Sequence, residues 1–230
     1  MSIYALADLH LSFGTDKPMD VFGDAWGDYT KKIYTNWQST VGKDDLVIIP
    51  GDVSWATYIE DAYEDFKFIN ELNGKKVILK GNHDYWWTTL SKMNKFLTEN
   101  NFDTIQILNN TATEFEDTAI CGTRGWWYKD QQGEMDEKIL DREKKRLLLS
   151  LEDAVKLKKK RIIVGLHYPP IDPGNSKQDF MDILKEYKID TCVYGHLHSY
   201  AHKNAVCGEV DGIKLQLVSG DFLGFKPILV

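Results

Sequence analysis

Residues 77–84 read Val77-Ile78-Leu79-Lys80-Gly81-Asn82-His83-Asp84. A short apolar run meets a glycine. An amide, an imidazole and a carboxylate then follow on consecutive residues. Such a run reads as a β-strand that delivers a site at its carboxyl end. Working outward, the same design recurs at four other places. Ile3-Tyr4-Ala5-Leu6-Ala7 leads to Asp8-Leu9-His10, and Leu46-Val47-Ile48-Ile49 leads to Pro50-Gly51-Asp52. Ile162-Ile163-Val164-Gly165-Leu166 leads to His167, and Thr191-Cys192-Val193-Tyr194 leads to Gly195-His196-Leu197-His198. Placed as parallel neighbours in one sheet, these five runs would bring all their polar ends to a single edge.

Between the runs lie helical patterns. Trp26, Tyr29, Ile33 and Trp37 recur at helical spacing and predict a helix over 24–41 with a core-facing stripe. Tyr58, Ala62, Phe66, Ile69 and Leu72 predict another over 57–72, closed by Asn73-Gly74. Further helices are expected over 90–100, 134–159 and 176–187, with strands over 104–108 and 114–122. The charges of the 134–159 helix, Asp141, Arg142, Glu143, Lys144 and Lys145 among them, suggest a solvated face. Asp211-Gly212 between two β-type runs predicts a hairpin. The alternation indicates an α/β fold, mainly parallel, with antiparallel additions in the second half. No composition shift separates domains, so one domain over 1–230 is expected. The loop from Ser12 to Asp20 follows two site residues directly; that position suits a lid as well as an ordinary surface connection.

The chain carries a net charge of −7, which counts against a broad basic nucleic-acid surface. A small phosphorylated substrate is compatible with it, because bound cations would reverse the local field. No apolar run approaches the ~20 residues that span a bilayer. The opening residues lack a leader's basic and apolar regions, and the three cysteines lack CxxC spacing. Free thiols and a cytoplasmic protein are therefore expected.

Of six histidines, five stand at ends of predicted strands: His10, His83, His167, His196 and His198. With Asp8, Asp52 and Asn82 they form a set poorly suited to an apolar core. Carboxylate and imidazole without thiolate suit Mn, Fe, Zn, Co or Ni. Asp8 and His10 lie two apart, as do His196 and His198, so each pair points one way in extended chain. Seven donors exceed what one ion with an open position needs, but suit two ions sharing a carboxylate. Such a pair stabilises attacking and leaving oxygens of a phosphoryl group and lowers the pKa of a bridging water. His83 is then free to act as general acid, with Asp84 orienting its ring. His202 is left to a structural role.

Asp8-x-His10, Gly51-Asp52, Gly81-Asn82-His83-Asp84, His167 and Gly195-His196-x-His198, in that order, resemble the motifs of the calcineurin-like metallophosphoesterase superfamily. The resemblance implies a sandwich of two mixed β-sheets flanked by helices, with the site at the carboxyl ends of the strands. It implies one ion on Asp8, His10, Asp52 and His198, and another on Asp52, Asn82, His167 and His196. Asp52 would bridge them, with His83 beside the substrate phosphate. The phosphoprotein phosphatases of this pattern follow Gly-Asp with an Asp-Arg pair. Val53-Ser54-Trp55-Ala56 stands here instead, which favours the diverse bacterial-type phosphoesterases. With that arginine missing, Arg124, in a loop continuing into Trp126-Trp127-Tyr128, is a candidate phosphate ligand with an aromatic wall beside it; the other reading is a structural salt bridge with tryptophans packed on the sheet. The expected activity is metal-dependent hydrolysis of a phosphomonoester or phosphodiester. Its rivals are a nuclease of the same superfamily and a non-catalytic binding scaffold.

Overall fold

The computed structural model describes residues 1–127, 134–174 and 178–230. Two sheets lie at its centre. The first contains β1 (Ile3–Ala5), β2 (Leu46–Pro50), β3 (Lys75–Leu79) and β4 (Ile105–Ile107), all parallel. The second runs in the order β5 (Ala112–Phe115), β6 (Thr118–Thr123), β7 (Arg161–Leu166), β8 (Thr191–Tyr194), β10 (Ile213–Leu217) and β9 (Gly208–Val210). Its middle four strands are parallel, and its edge strands β5 and β9 are antiparallel. A last strand, β11 (Ile228–Leu229), returns to the first sheet and pairs antiparallel with β1.

The five site-bearing runs are therefore divided between two sheets rather than lined along one. β1, β2 and β3 belong to the first, β7 and β8 to the second. All are covered on both faces, and a strand so covered reads as an unbroken apolar run whichever sheet holds it. Every residue of β2, β6 and β8 is buried. Between the sheets pack Ala5, Ile48, Val77, Leu79, Ile120, Ile163 and Val193. The outer face of the first sheet is covered by α1 (Tyr29–Thr40), α2 (Tyr63–Glu71) and α3 (Leu90–Glu99). Helices α4 (Glu134–Lys156) and α5 (Asp179–Glu186) cover the second. The result is a helix–sheet–sheet–helix sandwich.

Local chemistry explains where the elements differ from the sequence pattern. The helix expected over 24–41 is broken after a short 3-10 turn, Asp24–Trp26. Gly27 is extended and Asp28 sits at φ 51°, so α1 begins only at Tyr29. The aromatic stripe survives the break: Trp26, Tyr29, Ile33 and Trp37 are buried, and the Trp37 indole donates to the Asn73 carbonyl at 2.9 Å. The helix expected over 57–72 starts at Tyr63 after a 3-10 turn, leaving Tyr58 exposed. The strand expected over 114–122 is a hairpin, β5 and β6, turning at Glu116 with φ 52°. Residues 176–177 of the expected last helix and residue 128 of the aromatic loop lie outside the described residues. The three cysteines are free, as expected. Among the described residues, no helix is long and apolar enough to cross a membrane.

Candidate metal centre

Past β1 the chain runs into the seam between the sheets. Leu6 N–H donates to Ile48 in the first sheet, Ala7 N–H donates to Val218 beside the second, and Asp8 N–H returns to Gly51. That alternation carries Asp8 to the junction of both sheets. The loops after β2 and β3 close against each other. A Cβ on Gly81 would stand 2.0 Å from Asp52 Oδ1, and one on Gly51 would stand 2.6 Å from Gly81 Cα, so only glycine allows this approach.

The geometry gathers all seven candidate donors. Asp52 shows how. Its Oδ1 accepts the His83 N–H at 2.8 Å. Its Oδ2 is turned inward, 3.7 Å from His10 Nε2 and 3.4 Å from His167 Nε2. His167 Nδ1 lies 3.1 Å from the Pro50 carbonyl, which fixes its proton there and leaves Nε2 facing the site. Asn82 Oδ1 lies 2.6 Å from His167 Nε2 and 2.9 Å from His196 Nδ1. On the other side, His10 Nε2 and His198 Nε2 stand 3.3 Å apart. Asp8 lies between the halves: its carboxylate accepts the His196 N–H at 3.0 Å, and its Oδ1 is 3.8 Å from His198 Nε2.

This donor set fits cations. Donor atoms of Asp8, His10 and His198 all lie within 4.8 Å of one another, and so do those of Asp8, Asp52 and His167. Burial pushes the Asp8 carboxyl up to about 7, with the Asp52 charge adding to it. Burial also pushes Asp52 up to about 6. His10 and His167 are held well below the usual imidazole range by burial and by neighbouring imidazoles, so their lone pairs are available. For His198 burial acts downward, but the Asp8 and Asp221 carboxylates outweigh it and raise the ring to about 9. Inward-facing nitrogens and carboxylates this close are the arrangement that borderline-to-hard metal ions complete.

Asp221 went unnoticed in the sequence. Its Oδ1 lies 2.8 Å from His198 Nδ1, and its Oδ2 lies 3.3 Å from His202 Nε2. The signal was present: Leu215-Gln216-Leu217-Val218 leads to Ser219-Gly220-Asp221, a sixth run of the same design.

Two of the candidate catalytic residues have their side chains engaged in the scaffold. Asp84 was expected to orient the His83 imidazole. Instead it gives its carboxylate to the backbone N–H groups of Gly81, Asp52, Val53 and Ser54 and to the Trp86 indole. It clamps the loops after β2 and β3 together. Arg124 has two readings in the sequence, a phosphate ligand and a structural salt bridge. Its guanidinium pairs with the fully buried Glu143 at 3.1 Å and lies 4.9 Å from the Trp126 ring, which is the geometry of the second. Glu143 also accepts from Thr123 and Arg146, so part of the α4 face read as solvated is a buried ion cluster. Trp126 packs on Arg124 and Tyr168, and Trp127 stands edge-on to His196 at 6.2 Å. Arg124 acts on the centre through its backbone, where its carbonyl accepts the His167 N–H at 3.0 Å.

A cavity of about 920 Å³ opens over the centre, lined in part by His10, His83, His196 and His198. The Trp55 ring stacks on His10 at 5.0 Å and lies 4.5 Å from His83.

Residues 1–200 match the model of one family, described as calcineurin-like phosphoesterase. No curated protein gives a significant match. Solved structures share the fold at low identity. A Thermus thermophilus protein, TT1561, superposes with TM-score 0.58 at 13% identity, over 99% of this chain and 97% of its own. The phosphopantetheinyl hydrolase of Mycobacterium tuberculosis gives 0.55 at 12% identity, over 100% and 95%. An Aquifex aeolicus protein of unknown function gives 0.54 at 16% identity, over 99% and 95%.

Proposed function

The chain belongs to the calcineurin-like phosphoesterase family, and on that footing we propose that it hydrolyses a phosphoester with two metal ions, one acid and a shared carboxylate. The observation that carries the proposal is the single Asp52 oxygen facing His10 on one side and His167 on the other. His10, His198, Asp8 and Asp52 would hold one ion, and His167, His196, Asn82 and Asp52 the second. When bound, such ions neutralise phosphoryl oxygens and lower the pKa of a water to near neutrality.

The chain's own residues do the rest. The His83 backbone N–H fixes Asp52 Oδ1 and so aims Oδ2 inward. The Pro50 carbonyl selects the tautomer of His167, and Asp221 that of His198. His83 lines the cavity beside the donors, and its imidazole delivers a proton to the leaving oxygen. Trp26 and Trp55 pack against the His10 ring and line the cavity. The first-row ions Mn, Fe, Zn, Co and Ni suit this donor set.

The test is a hydrolysis panel of mono- and diesters run with each ion in turn, beside metal analysis of purified protein. Phosphopantetheine esters belong in that panel, since a neighbour of the same fold is named for that hydrolysis. About two ions per chain and chelator-sensitive hydrolysis are expected. Undiminished hydrolysis by metal-free protein would refute the proposal.

A further inference from the structure

The cavity over the centre is larger than a phosphoryl group requires, and its wall is chemically lopsided. At about 920 Å³ it matches sites that enclose a whole small molecule. Phe22, Trp26, Trp55, Tyr85 and Tyr200 line it. Apart from histidines, Lys17 is the one cationic residue among the described lining residues.

Lys17 is held in place. In the Ser12–Asp20 loop, Ser12 Oγ donates to the Lys17 carbonyl at 2.9 Å, and Lys17 N–H donates to Thr15. Phe13 N–H donates to Asp65, whose other oxygen accepts from Ser54 in the loop after β2. A Cβ on Gly14 would stand 2.3 Å from the Asp61 carbonyl, so the loop lies tight on the scaffold. The ammonium is 4.5 Å from the Trp55 ring and 5.8 Å from Phe22. Asp16 lines the same cavity, but among the described residues no carboxylate forms an ion pair with Lys17. Trp55 in turn touches His10 and His83. The charge thus stands one indole ring away from the candidate catalytic groups.

We propose that Lys17 is a specificity-determining residue, recognising a second anionic group on a phosphoester whose flat or apolar body lies along Trp55 and Trp26. The inference rests on the phosphoesterase reading above. An ammonium over an indole keeps a cation–π partner and still offers donors to an anion. The scissile phosphoryl would occupy the donor cluster, leaving this cation to the other end of the substrate.

The test compares phenyl phosphate with its 3- and 4-carboxy derivatives, and benzylphosphonate with 4-carboxybenzylphosphonate as non-hydrolysed probes. The metal-loaded wild type should favour the carboxylated ester in kcat/KM, and bind the carboxylated phosphonate, by about tenfold, as charged hydrogen bonds allow. Lys17→Met should abolish the preference, and Lys17→Arg should restore part of it. Because the readout is a ratio, a uniform loss from altered folding or metal content cancels. An equal preference in wild type and Lys17→Met, or no preference in wild type, would overturn the proposal. Binding preference without hydrolysis of any ester would sink the phosphoesterase reading and leave Lys17 standing.

Discussion

Asp221 and His198 form an oriented pair: the carboxylate Oδ1 lies 2.8 Å from Nδ1, and its Oδ2 accepts the Ser199 N–H at 3.0 Å. The pair fixes the ring proton on Nδ1 and turns Nε2 toward Asp8 and His10. Removing such a partner commonly costs 10–100-fold in metal affinity. Asp221→Asn is expected to weaken metal binding by about that factor while leaving the fold intact. Calorimetric titration with Mn2+ checks this, and unchanged affinity would return Asp221 to a purely structural role.

Asp52→Asn should be the most damaging single exchange among the donors. Its Oδ2 faces imidazoles of both halves, so a neutral amide weakens both positions together. Expected are loss of most bound metal and a drop in melting temperature relative to metal-loaded wild type, since ligand binding stabilises by mass action. Retention of two ions at a near-normal rate would rule out the bridging role.

His83→Ala should keep its metal and lose kcat by ~10²–10⁴-fold, the usual contribution of a positioned acid. The loss should shrink with better leaving groups, which need less protonation. A Brønsted series of aryl phosphates reads this directly. A loss that ignores the leaving group would instead assign His83 to charge stabilisation.

Asp84→Ala should be a folding variant before it is a kinetic one. It leaves four backbone N–H groups and the Trp86 indole without their acceptor in the interior. A loss of at least about 4 kcal/mol is expected in urea denaturation. A stable protein with selectively reduced kcat would restore the orienting role once expected of it.

Arg124→Ala should act on stability through Glu143. That carboxylate is fully buried and would keep only Thr123 and Arg146. A loss of about 1.5–3 kcal/mol is expected for a charged hydrogen bond in such a place. A large rise in KM at unchanged melting temperature would contradict the scaffold assignment.

The donor set was legible because each member ends an apolar run, and glycine or proline marks most of the turns between. Which sheet each run joins was not legible from the residues, because double-sided burial erases the alternation that would tell one face from another. Only the family resemblance separated the sheets. Glu143 was misread for a related reason. On α4 it stands among charged neighbours at solvent spacing, and its partner Arg124 lies 19 positions away. Asp221 is hidden for a different reason. Its run forms the hairpin that Asp211-Gly212 predicts, pairing antiparallel with Gly208–Val210, and a hairpin strand does not announce a site at its far end.

Asp8, His10, Asp52 and His196 all sit at positive φ, at 58°, 44°, 53° and 72°. For residues other than glycine such angles cost on the order of 1–3 kcal/mol each, although asparagine, aspartate and histidine bear them more readily than other side chains. Four of the thirteen non-glycine residues at positive φ among the described residues are thus candidate metal donors. Selection for thermal robustness alone would drift toward glycine at positions 10 and 196 and dismantle the candidate centre as it went. Durability and chemistry pull in opposite directions at these residues, and attempts to harden the protein should begin elsewhere, on the helices that face solvent.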